Sequence, residues 1–141
     1  GMVKAMGNLM KPLLVKLFPE IPADHPAMGS IVANMAANFF GLGNAATPLG
    51  IKAMQELQLL NDNKDEASNS MVMFLAINTS SVTLISSSTI AYRVAAGSAN
   101  ATEIIAPTIV ATIMSTAVAI ISCKFLEKLP KYKREKIEIK K

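Results

Sequence analysis

Residues 39–50, FFGLGNAATPLG, place three glycines, an asparagine, a threonine and a proline in an otherwise apolar neighbourhood. They fall within an uncharged run of 26 residues, 26–51. At about 1.5 Å of rise per residue, such a run is long enough to cross a hydrocarbon core of about 30 Å. Its middle, however, is built from helix breakers. Backbone freed from a helix inside hydrocarbon leaves N–H and C=O groups unpaired at several kcal/mol each. A break at this depth therefore needs protein, or a polar cavity, around it.

The distribution of charge extends the same reading outward. Only nine charged residues lie between positions 24 and 123, and all of them lie within 24–103. A soluble domain of that size carries roughly 25% charged residues. The C-terminal tail from Lys124 holds eight Lys/Arg and three acids, a net +5, against −1 for residues 1–123. The total of +4 is thus a property of one tail. With no Trp and two Tyr to stack on bases, it gives no footprint for nucleic acid. A chain of 141 residues allows one domain. The single cysteine, Cys123, excludes an intrachain disulfide and a zinc cluster. No signal-peptide pattern opens the chain, and GMVKAMGNLM reads as the middle of a helix, the start of a fragment.

Along the chain, residues 1–18 read as a helix end carrying Lys4, Lys11 and Lys16, interrupted by Pro12. FPEIPADHPAMG is a proline-rich linker, with Asp24 expected as the cap of a helix over 26–40. That helix carries Ile31, Met35 and Phe39 on one face and Ser30, Asn34 and Asn38 on another. Thr47 as cap and Pro48 at the first helical position predict a second helix over 48–60. NDNKDE is a polar turn, where Asn63 and Glu66 form a capping box for the next helix. Residues 67–92 are again uncharged, helical in their first half, with a run of hydroxyls and Asn78 at the centre. Residues 93–102 read as a loop, and Asn100 with Glu103 repeats the capping-box spacing. The 20 uncharged residues IIAPTIVATIMSTAVAIISC, 104–123, span about 30 Å and form the clearest transmembrane helix. Ala111, Ser115 and Ala119 give it a small-residue face for helix packing.

The basic tail puts the C-terminus in the cytoplasm by the positive-inside rule, and 93–102 outside. Residues 26–60 then fit best as a re-entrant hairpin with both ends inside, because a full span would export Lys4, Lys11 and Lys16. Two breaks, around Asn44 and around 78–81, fall near the middle of neighbouring uncharged segments. Secondary transporters build substrate sites where broken helices meet at the midplane. The same Asn, Ser and Thr residues can instead serve as hydrogen-bonding glue between helices. GLGNAA fits a dinucleotide fingerprint but follows a helix rather than a strand. His25 has no second ligand nearby and reads as structural. Lys52 and Glu56 form an i,i+4 pair on a solvated face. No acid pair, histidine cluster or Ser–His arrangement supports catalysis, so the chain reads as no enzyme, with no cofactor and no metal.

LFPEIPADHPAMGSIVANMAANFFGLGNAATPLGIKAMQEL, followed by FLAINTSSVTLI, resembles the spore-maturation branch of the nucleoside-recognition, or Gate, family of bacterial membrane proteins, over roughly residues 9–130. The resemblance implies an all-α membrane protein with the core repeat of nucleoside transporters: a re-entrant helical hairpin, a broken transmembrane helix and a C-terminal transmembrane helix. Residues 1–25 would be a helix end and linker, 26–129 the Gate domain and 130–141 a basic cytoplasmic tail. The hairpin tip would comprise Gly41, Gly43 and Pro48, and Asn44, Thr47, Asn78, Thr79 and Ser80 would line the solute site, with Ser30, Asn34 and Asn38 as a polar helix face. The family implies a place in the plasma membrane of the sporulating cell and a role in maturation and dehydration of the spore core. There the chain would be either a transporter-like half-unit for a small polar solute or a scaffold that moves nothing. It also implies a sister Gate protein, of the spore maturation protein B type, as partner beside the membrane lipid. The family has hydrophobic N-terminal helices that this chain lacks, and a proline where Ser86 stands.

Overall fold

The computed structural model describes residues 12–130, and every regular element among them is helical. Lys4, Lys11 and the tail 131–141 lie outside the described residues. The elements are α1 (12–17 as described), α2 (Pro26–Phe39), α3 (Gly43–Leu59), α4 (Asn69–Thr79), α5 (Ser87–Ala95), a 3-10 turn (Ala101–Ile104) and α6 (Ile105–Leu126).

Helix α2 begins where Pro26 fixes it, but its cap is His25 rather than Asp24. The residue before a proline is held extended, here at φ −72° and ψ 141°, which is cap geometry. The His25 Nδ1 accepts the Ala27 N–H at 3.2 Å. Its role is therefore structural. Past the cap residue Phe40, Gly41 closes the helix: its φ of +66° lets the Gly41 N–H reach the Asn38 carbonyl and the Leu42 N–H reach that of Ala37. These two bonds make a Schellman cap.

Helix α3 starts five residues earlier than Pro48. Ala45 and Ala46 favour helix and carry it back to Gly43, so Thr47 is no cap. Its hydroxyl donates instead to the Gly43 carbonyl, 3.2 Å away. Pro48 then lies in the second turn, where its missing N–H leaves the Asn44 carbonyl without its usual donor.

The turn after α3 is held by Asn61, which is buried and donates to Gln58 Oε1 and to the Glu66 carbonyl. Asn63 accepts the N–H of Asp65 within this turn, so it caps nothing. The cap of α4 is Ser68, whose hydroxyl accepts the Met71 N–H at 3.2 Å. Asn100 likewise forms no side-chain cap; it accepts from the Thr102 hydroxyl. The expected loop at 93–102 is shorter, because α5 continues to Ala95.

The core lies between α2, α3 and α4. Ala27, Met28, Ile31, Ala53, Leu57, Met73, Phe74 and Ile77 pack there with Leu14, Phe18 and Ile21, so the segment before Pro26 contributes three core residues. Helices α2 and α3 pack closely as a hairpin, and α6 lies on α4. Glu56 departs from expectation. Its side chain is 16% exposed, with Oε2 buried and unpartnered, although Lys52 is 4.0 Å away.

Helix α6 is long and apolar enough to cross a membrane by length and composition. None of its residues is buried, and Val110, Ile113, Met114, Val118, Ile121 and Phe125 are each at least half exposed. Each such side chain gains about 1.5–3 kcal/mol when removed from water. The small-residue stripe is not the packing face: Ala111 and Ser115 are exposed. The face that meets the rest of the fold carries Thr112, Thr116, Ile120 and Cys123.

Candidate functional site

Two irregular stretches, 40–42 and 80–86, interrupt the helices, and they meet. The Leu84 N–H donates to the Phe39 carbonyl at 3.0 Å, and the Ser87 hydroxyl donates to the Gly41 carbonyl at 2.9 Å. A Cβ added to Gly41 would sit 2.0 Å from the Ile85 carbonyl oxygen, so only glycine allows this approach. Helix α6 satisfies the far side of the second break. The Thr116 hydroxyl donates to the Ser80 carbonyl at 2.6 Å, and the Thr112 hydroxyl accepts the Thr83 N–H at 3.3 Å. Part of the irregular backbone thus finds partners within the protein itself.

Beside this junction three asparagines are linked in series. Asn34, fully buried, donates to the Ala46 carbonyl at 2.8 Å. Asn38 donates to Asn34 Oδ1 at 3.3 Å and to Asn78 Oδ1 at 2.6 Å. Gly50 forms the surface against which they lie: a Cβ there would stand 3.0 Å from Asn34 Nδ2 and 3.2 Å from Asn78 Nδ2. The series opens on a cleft of about 440 Å³ lined by Asn38, Thr47, Gly50, Asn78 and the apolar Met54 and Phe74, among others.

The expected site residues divide accordingly. Asn78 and Thr47 line the cleft, as does Gly43 from the hairpin tip. Asn38 lines it too, and Asn34 supports it from below, although both were expected only as a polar helix face. Ser30 is buried on the same helix. Asn44, expected beside Asn78, is exposed and does not line the cleft, because α3 already includes it and turns its side chain elsewhere. Thr79 and Ser80 spend their hydroxyls on their own helix, at the Leu75 and Ala76 carbonyls. Pro48 is exposed in α3.

Sequence reasoning missed Gly50, Thr112 and Thr116. The i,i+4 spacing of the two threonines was the available signal, one position away from the Ala111/Ser115/Ala119 stripe. Among the described residues, no group of three or more His, Cys, Asp or Glu could hold a metal ion.

The described residues are all helical apart from their connecting segments, and one helix is long and apolar enough to cross a membrane. The family model described as "Gate: Nucleoside recognition" matches residues 1–99, and the chain belongs to that family. It is 51% identical over 136 residues to spore maturation protein A of Bacillus subtilis (strain 168), covering 96% of this chain and 67% of that relative. No solved structure matches it.

Proposed function

We propose that the chain is a bacterial membrane protein of spore maturation that holds a small polar solute in the asparagine-lined cleft, as a transporter-like half-unit. One observation carries this reading: two helix breaks bond to each other beside three linked asparagines and an open cleft. Broken helices that meet in this way are how transporters place polar groups around a solute at the midplane. The likeness to spore maturation protein A supports the biological setting. Uptake or binding of solutes by reconstituted protein tests the proposal. A protein that complements sporulation yet binds and moves nothing would leave the scaffold role instead.

In this reading α2 and α3 form a re-entrant hairpin and α6 spans the bilayer, with its C-terminus in the cytoplasm. Cysteines placed at Glu20 and Asp62 should be labelled from the same, cytoplasmic, side. Labelling of position 20 only from outside would rule the hairpin out.

One hairpin and one broken helix make half of an inverted pair. Ser30 and Asn34 are covered within the chain and give no reason for a partner. Ser88 and Thr89 are exposed and would be costly against lipid. The +5 tail opposes an inverted second copy. The partner proposed is therefore the homologous sister Gate protein of opposite orientation. It should co-purify from membrane extracts, and recovery of a functional homo-oligomer without it would defeat the idea.

A further inference from the structure

We infer that the cleft is built for a neutral solute that presents a hydrogen-bond acceptor and a donor side by side, as a primary amide or a lactam does, on an otherwise apolar body. This rests on the reading of the cleft as a solute site. The Ala46 carbonyl can only accept. It fixes the end of Asn34 that faces it as the NH₂. Asn34 Oδ1 must then face Asn38, which turns its own NH₂ toward it. That same NH₂ spends its second proton on Asn78 Oδ1.

Each amide is thereby oriented by the one before it, and two groups are left over. Asn38 Oδ1, an acceptor, and Asn78 Nδ2, with two protons to donate, have no partner among the described residues. Both residues line the cleft. An acceptor and a donor on adjacent side chains complement the N–H and C=O of one amide edge.

The rest of the lining narrows the class further. It includes Ile51, Met54, Phe74 and Leu75 and, among the described residues, no charged side chain. An ion placed there would lose water without gaining a counter-charge. A carboxylate would set one of its two acceptors against Asn38 Oδ1, itself an acceptor. Gly50 leaves the room that the amides occupy, since any side chain there would press on Asn34 and Asn78.

The test uses the full chain in lipid nanodiscs, with benzamide and benzoate as probes of nearly equal shape, and calorimetry as the readout. Benzamide should bind, and benzoate should bind more weakly by about tenfold or more, the worth of one good hydrogen bond. Asn78→Asp, which replaces the donor with an acceptor and a charge, should weaken benzamide by a similar factor. Equal or tighter binding of benzoate, lost in Asn78→Leu, would overturn the amide class while leaving the cleft a solute site. Binding of neither probe, or binding indifferent to both substitutions, would overturn the class and the cleft reading together.

Discussion

Gly41→Ala should destabilise the protein by about 3–5 kcal/mol, placing it among the most damaging single substitutions in the chain. Two costs combine. At φ +66° an L side chain costs about 1–2 kcal/mol in backbone strain. The new methyl would also stand 2.0 Å from the Ile85 carbonyl oxygen and 3.1 Å from the Ser87 nitrogen. Both neighbours are backbone and cannot rotate away. Relief requires the two breaks to separate, which releases the Leu84–Phe39 and Ser87–Gly41 bonds. Thr116→Val acts on the other side of the same junction and removes one donor from the Ser80 carbonyl, for about 1–3 kcal/mol. Detergent unfolding followed by circular dichroism measures both. A Gly41→Ala protein as stable as the parent would mean that the breaks do not touch.

Asn34→Leu should cost about 1–3 kcal/mol and abolish binding at the proposed solute site, although leucine has the same number and branching of side-chain heavy atoms. Asn34 is fully buried, and its amide orients the whole series. Without it, Asn38 loses the acceptor for one of its two protons, and the order that presents Asn78 Nδ2 is lost. Asn44→Leu is the control. Its side chain is exposed and takes no part in the series, so the change should stay within about 0.5 kcal/mol. The same two unfolding curves decide between them. Equal effects at 34 and 44, or a larger one at 44, would show that the hairpin tip itself carries the polar site.

The contrast between Asn34 and Asn44 also shows what could be read before the structure. The existence of both breaks, the extent of α2 and the long apolar α6 were legible, because glycine, proline and gaps in charge act locally. The polar face Ser30/Asn34/Asn38 was visible as a spacing of four. Its partner was not, because the contact of Asn38 with Asn78 spans 40 residues and no local pattern announces it. Caps were misplaced by a few residues wherever two signals competed. Pro26 overruled Asp24, Ala45 and Ala46 overruled Thr47, and the Asn61 turn absorbed Asn63. On α6 the small residues drew attention because they suit helix packing, while the threonines one position along make the contacts. A hydroxyl that satisfies another helix's carbonyl looks in sequence like any other threonine.

The central claim is that the first hairpin and the broken α4 segment come together through Asn38 and Asn78. It is tested most directly by cysteine cross-linking in native membranes, in a Cys123→Ala background. Paired cysteines at 38 and 78 should be joined rapidly by a short bis-thiosulfonate reagent, and a pair at 44 and 78 should not. Efficient joining of 44 to 78 with none between 38 and 78 would contradict the account.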